Sequence, residues 1–232
     1  MKRFYSEAAA TVEGEAFGVS LDGKPLRTPA KKPVRVPTRE LAEAIAAEWR
    51  GQEKTLSATG LPLTRLANTA IDRVESRRAE VTAEIVKYAA TDLLCYRAAE
   101  PAELANRQRE AWQSALDWAA ERYGARLEVT IGISPIRQTP AALAALERAV
   151  DGYDAMKLAA LHLATTACGS LILGLALLER ELSPEDAFGA AQLDESFQIE
   201  RWGEDPEQTA RRAALKDDIA LAARFAALLL AE

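Results

Sequence analysis

Residues 16–38 read Ala16-Phe17-Gly18-Val19-Ser20-Leu21-Asp22-Gly23-Lys24-Pro25-Leu26-Arg27-Thr28-Pro29, then Ala30-Lys31-Lys32-Pro33-Val34-Arg35-Val36-Pro37-Thr38. Asp-Gly between short alternating runs is a strong hairpin signal, because a two-residue turn of this kind needs φ > 0 at both positions. Each of Pro25, Pro29, Pro33 and Pro37 removes a ladder donor, which confines the later strands to edges or short extended pieces. From Thr38 the period changes. Thr38 supplies an N-cap, Leu41, Ile45 and Trp49 fall at i, i+4 and i+8 on one face, and Gly51 closes the helix. That change from period 2 to period 3.6 predicts an α+β fold, predominantly α. A small N-terminal antiparallel β unit over residues 1–38, too small to hold a core alone, is expected to pack on a larger helical domain over residues 39–232.

Outward from this junction, helical signals dominate. After a loop through Gly60 and Pro62 come Leu63, Leu66, Ala67 and Ala70, then a second pattern over residues 77–90. Pro101 suits position N1 of a helix reaching Tyr123, with Trp112, Ala115, Leu116, Ala119 and Tyr123 on its face and Gly124 at its end. Residues 127–131 alternate and predict one more strand, and further helices are expected at about 140–151, 155–181, 184–202 and 207–230.

Composition agrees. Of 232 residues, 48 are alanine, 49% are hydrophobic and only 6% aromatic, which describes a helix-rich globular chain. With 2 Cys there is no disulfide scaffold and no four-cysteine zinc site, and with a single His there is no histidine cluster for a metal. The net charge of −6 argues against nucleic acid as the main partner. Its distribution is uneven: residues 1–39 carry eight Lys/Arg against four Asp/Glu, leaving 21 bases and 31 acids in the remainder. The start, Met1-Lys2-Arg3-Phe4, leads into Ser6 and Glu7 without the apolar run of a secretory signal. With free cysteines at 95 and 168, the expected compartment is a reducing cytosol, or an organelle matrix if an upstream presequence has been removed.

Leu158–Leu178 spans 21 residues without Asp, Glu, Lys or Arg, enough length for a membrane span. His162, Thr165, Thr166, Gly169, Ser170 and Gly174 dilute its hydrophobicity, and neither a basic flank nor an aromatic belt brackets it. The expectation is therefore a central helix surrounded by other helices, not stable membrane insertion, with Gly and Ala allowing close approach.

Several residues invite a chemical reading. Gly18 to Lys24 comes within one residue of a phosphate-binding loop, but proline stands where Ser or Thr would hold Mg²⁺, and no helix follows, so a hairpin turn is favoured. His162 lies in the longest apolar run and reads as a core histidine satisfied by a carbonyl. Cys168 is off the i, i+3/i+4 spacing for a dyad with it, and Cys95 reads as a small buried hydrophobe. Residues 194–207 hold six carboxylates. Phe197 and Arg201 share a helix face with Asp194, while Glu195, Ile199 and Trp202 lie on another. This segment reads either as a solvated helix end stopped by Gly203 and Pro206, or as a recognition surface, since an exposed Trp with Arg and carboxylates is typical of binding hot spots. The alternative, a soluble hydrolase or nucleotide-dependent enzyme, would rest on this acidic cluster or on Lys24.

An ordered set of motifs adds to this: Ala47-Glu48-Trp49; Leu63-Thr64-Arg65-Leu66-Ala67-Asn68-Thr69-Ala70-Ile71-Asp72; Thr91-Asp92-Leu93-Leu94-Cys95-Tyr96-Arg97; Trp118 to Gly124; and Glu195-Ser196-Phe197-Gln198-Ile199-Glu200-Arg201-Trp202-Gly203. Together, over residues 15–225, they resemble the assembly chaperone family that attends the α subunit of the F-type ATP synthase head. The resemblance implies a non-enzymatic monomer without cofactor, metal or catalytic residues, built as a small β region on a larger helical domain. It would bind unassembled α subunit and shield the surface meant for β, an apolar surface that aggregates unless covered. The motif positions carried over as partner-binding are Glu195, Gln198, Trp202 and Gly203, with Glu48 and Trp49 from the earlier motif. Trp49 also ends the apolar stripe of its helix, which favours a core role.

Overall fold

The computed structural model describes residues 2–230, apart from the side chain of Ala58. Met1, Ala231 and Glu232, at the outer ends of the two expected domains, lie outside the described residues. The chain divides into two compact units. The first holds the described residues up to Arg78, with Asp154–Ala160 and those from Arg224 onward; the second holds Ala79–Tyr153 and Leu161–Ala223. The expected division after residue 38 falls inside the first unit.

In that unit, β1 (Ala8–Glu13) and β2 (Ala16–Leu21) form an antiparallel hairpin in which Glu13 faces Ala16. Its turn at Gly14, where φ is +70°, was not anticipated from the sequence. The Asp-Gly turn is as expected: Leu21 pairs with Lys24 in β3 (Lys24–Pro25), and Asp22 and Gly23 take φ of 47° and 75°. The prolines limit β3 and β4 (Arg35–Val36) to two residues each, and both pair with the same edge of β2, at Ser20–Leu21 and Phe17–Gly18 respectively.

Val19, Ser20 and Leu21 of β2 are all buried, and helix α1 (Arg39–Arg50) packs on β1 and β2 with Leu41, Ala42, Ile45, Ala46 and Trp49 as its buried residues. Thr38 is its N-cap, the hydroxyl accepting from the Leu41 N–H at 3.3 Å, and Gly51 its C-cap. Helix α2 (Pro62–Thr69) runs into a π-helical turn over Ala70–Val74. Asp72 in that turn orders the proline-rich loop: it accepts from the Thr28 hydroxyl at 2.7 Å and the Ala30 N–H at 3.0 Å.

The second unit is built around α4 (Ala102–Tyr123), which follows α3 (Arg78–Ala90) and a two-residue strand β5 (Tyr96–Arg97). Pro101 is the N-cap of α4, not N1, since its ψ of 157° is extended; Gly124 ends the helix at φ 70°. Trp112 is fully buried and donates its indole N–H to the Ala190 carbonyl at 2.9 Å. Of the strand expected over residues 127–131, only Thr130–Ile131 (β6) pairs, in parallel with β5. Helix α5 spans Pro140–Asp151.

The long apolar run does not make one helix. It breaks at Gly169 (φ 67°) into α6 (Ala155–Cys168) and α7 (Leu171–Leu178), with Ser170 capping α7 through the Leu173 N–H at 3.0 Å. At the α6–α7 contact Gly174 has no room for a Cβ, which would meet Thr165 Oγ1 at 2.7 Å. Among the described residues no helix is long and apolar enough to cross a membrane. The 184–202 expectation likewise divides at Gln192 into α8 (Pro184–Ala191) and α9 (Leu193–Trp202), and α10 follows over Pro206–Leu228.

Candidate partner-binding site

Helix α9 is held to α4 by its inner face. Phe197 is buried with the Arg201 guanidinium 4.2 Å and the Arg107 guanidinium 5.3 Å from its ring centroid. Those two arginines share Glu103: Arg201 donates to it at 2.9 Å and Arg107 at 2.8 Å. Arg107 also donates to both oxygens of Glu200, at 2.9 and 2.8 Å. The bond from Arg201, then the charge and hydrogen bond of Arg107, hold the Glu103 carboxyl below the usual carboxylate range. Two cross-helix pairs, Arg201–Glu103 and Arg107–Glu200, are joined into one chain by Glu103–Arg107, and such a network restrains the rotation of α9 more than a single surface pair would.

The first turn is tied as well. Asp194 accepts from Gln108 Nε2 at 2.7 Å, and the Gln108 amide oxygen accepts from the Ala98 N–H at 2.6 Å. The Gln108 carbonyl takes a hydrogen bond from Arg97, a buried guanidinium lying 5.2 Å over the Trp112 ring. Burial lowers the pKa of Arg97 from its ordinary value. The motif ending in Arg97 thus works as packing beneath α4 and α9.

With its inner face so occupied, α9 presents the positions i, i+3 and i+7: Glu195, Gln198 and Trp202 lie along one outward strip. Trp202 is 76% exposed and Gln198 is exposed. Glu195 is half-buried and has no hydrogen bond or ion pair among the described residues. Gly203 ends the helix at φ 86°, ψ 173°, a conformation open only to glycine. Four of the six residues carried over from the motifs therefore lie along one helix, from its first turn at Glu195 to its C-cap at Gly203.

The other two are on the first unit. Trp49 is buried, and its indole N–H donates to the Thr64 hydroxyl at 3.2 Å. Glu48 spends its carboxylate on the start of α2, taking the N–H groups of Leu63 and Thr64 at 2.6 and 2.9 Å and the Thr64 hydroxyl at 2.7 Å. α2 has no N-cap side chain of its own, and Glu48 replaces it from the preceding helix.

The remaining chemical readings fare differently. Within the acidic cluster Asp194 and Glu200 are bound to α4 as described, and Asp205 caps α10 through the Glu207 and Gln208 N–H groups at 2.9 and 3.0 Å. Lys24 stands in a hairpin with no helix after it, so the phosphate-loop geometry is absent there. His162 corrects the sequence reading: it is half-exposed, with Nε2 3.6 Å from Glu84 Oε2, because it lies on the flank of α6 that the other helices leave open. Cys95 and Cys168 are buried, and burial, then the charge of Asp92, pushes both thiols up to about 12. Asp92, which sequence reasoning passed over, is fully buried and ties two segments: it accepts from the Leu94 N–H at 3.1 Å and the Ile172 N–H at 3.2 Å. Burial raises its carboxyl to about 6 against the lowering effect of those bonds. The signal for it was an Asp one residue before an apolar triplet, the pattern of a cap.

Comparisons with known proteins place this architecture. The sequence profile of the ATP12 chaperone protein family matches residues 2–120. The crystal structure of Atp12 from Paracoccus denitrificans is 40% identical, covers 98% of each chain and superposes with a TM-score of 0.95. The Atu1473 protein of Agrobacterium tumefaciens is 42% identical with a TM-score of 0.94, over 98% of this chain and 86% of that one. Among curated sequences, the mitochondrial protein atp12 of Schizosaccharomyces pombe is 26% identical over 214 residues, 87% of this chain and 74% of its own length. By profile, sequence and fold, the chain belongs to the ATP12 chaperone family.

Proposed function

We propose that this protein is an assembly chaperone of the F-type ATP synthase: it binds the unassembled α subunit of the soluble head and shields the surface α offers to β until the head forms. The observation that carries this reading is the outer strip of α9, where an exposed indole and an unpartnered carboxylate stand on a helix that ion pairs hold rigid. Rigid aromatic anchors beside charge are what a hot spot requires. Family membership and the five ordered motifs support the choice of client. Occlusion needs no bond-making step, so the protein acts as a non-enzymatic monomer, in the bacterial cytoplasm or in the mitochondrial matrix. On the second unit Glu195, Gln198, Trp202 and Gly203 make the contact; on the first, Glu48 and Trp49 support binding by ordering the start of α2.

The test is retention of purified, unassembled α subunit by the immobilised protein. Retention that assembled head fails to compete away supports the reading; no retention, or equal competition by assembled head, refutes it.

A further inference from the structure

One cavity in the first unit is unused by anything above. It has a volume of about 410 Å³ and is lined by Phe4, Tyr5, Leu21, Asp22, Lys24, Pro25, Leu26, Arg27 and Trp49. Its floor is apolar and fixed: Leu21, Leu26 and Trp49 are buried, and the Tyr5 hydroxyl donates to the Trp49 carbonyl at 2.6 Å, with the two rings 5.5 Å apart. Phe4, 61% exposed, stands edge-on to Tyr5 at 5.4 Å as a wall.

The rim is cationic. Lys24 and Arg27 are exposed, and Lys24 has no ion pair among the described residues, while Arg27 bonds only to the Lys31 carbonyl at 2.8 Å. Asp22 is the one carboxylate among the lining residues, and it is already spent. Its Oδ1 accepts from the Ser6 and Glu7 N–H groups at 3.0 and 2.8 Å, holding the start of the chain against the hairpin turn. An apolar floor with a rim of two exposed cations against one carboxylate, net positive, selects by charge and by shape. Its size suits one large apolar side chain with its flanking backbone.

We propose that this groove docks an acidic, extended segment of the client in which one large apolar side chain enters between Phe4 and Trp49 while neighbouring carboxylates meet Lys24 and Arg27. The proposal rests on the chaperone reading for the identity of the client, and gives Trp49 a contact role from the floor of the groove. It also gives the lysine of the failed phosphate loop a task.

The test uses two probes against the full chain and the double variant Lys24→Glu/Arg27→Glu, whose side chains are exposed and leave the core untouched. The first probe is a short synthetic peptide with one phenylalanine among glutamates, followed by calorimetry. The wild type is expected to bind it more weakly as salt rises, the double variant at least about tenfold more weakly than the wild type, and neither to bind the lysine counterpart. The second probe is unassembled α subunit, whose capture the double variant is expected to lower by a similar factor. Binding of the lysine peptide, equal competition by a single-stranded oligonucleotide, or equal affinity in wild type and double variant overturns the groove as a site for acidic peptide. If the wild type captures α and charge reversal changes nothing, the groove fails and the chaperone reading stands. If the wild type captures no α, the chaperone reading fails, and the peptide probe alone decides the groove.

Discussion

Thr64 gives both its backbone N–H and its hydroxyl to one oxygen of Glu48, at 2.9 and 2.7 Å, and takes the Trp49 indole N–H in return at 3.2 Å. Two motifs far apart in sequence are one structural device, in which a helix end borrows its cap from the helix before it. Removing the carboxylate leaves the N–H groups of Leu63 and Thr64 half-buried without an acceptor. Glu48→Ala is therefore expected to cost about 1–2 kcal/mol, the upper range for a lost N-cap. At this chain length that lowers Tm by roughly 2–8 °C. Thermal melting of the purified variant checks it, and an unchanged Tm would show that Glu48 is free for another task.

Glu195 has no such duty. It is half-buried, has no hydrogen bond or ion pair among the described residues, and takes no part in the ion pairs that hold α9. Glu195→Lys is expected to weaken capture of unassembled α subunit while leaving Tm within about 2–4 °C of wild type, a surface effect on the order of 1 kcal/mol. Trp202→Ala should weaken capture with as little effect on melting, because the ring is 76% exposed. A large drop in Tm for either would make the residue structural.

At the α6–α7 contact, Gly174→Ala places a methyl group 2.7 Å from Thr165 Oγ1 and 3.3 Å from Leu161 Cδ1. Overpacking of this kind costs about 1–3 kcal/mol. Thr165 Oγ1 is buried without a hydrogen bond, so removing it relieves the clash and loses no partner. The double variant Gly174→Ala/Thr165→Ala should recover part of the loss, a coupling that denaturant melts of the two single variants and the double variant would measure.

How much of this was legible follows from the range of each interaction. The hairpin at Asp22-Gly23, the cap at Thr38 and the stop at Gly124 are local chemistry, and the structure has them where the sequence places them. The breaks at Gly169 and Gln192 were missed because apolar periodicity continues across both. What breaks the first is a left-handed glycine followed by a capping serine, a signal hidden inside an apolar run. His162 was misplaced because an apolar run was taken to be buried on all sides. In the site, the spacing of residues 194–202 correctly separated the Phe197 face from the Trp202 face. The partners of that inner face, Glu103 and Arg107, lie about ninety residues away and no spacing rule reaches them.

Asp92 offers a test by pH. Its folded carboxyl titrates near 6, raised by burial from the ordinary 3.8. A raised carboxyl binds its proton more tightly in the folded chain than in the unfolded one, so its contribution to stability is greatest below pH 4. That contribution declines as pH rises through the window from about 4 to about 6, and is level above it. The total decline is about 3 kcal/mol, from roughly two pKa units at 1.36 kcal/mol each. Asp92→Asn removes the titration and keeps one acceptor oxygen for the Leu94 or Ile172 N–H. The difference in unfolding free energy, wild type minus variant, should therefore fall across that window and stay flat from pH 6.5 upward. Denaturant titrations of both proteins at a series of pH values measure it, and a difference that rises with pH would mean the buried carboxylate is stabilised as the anion by the α7 N-terminus.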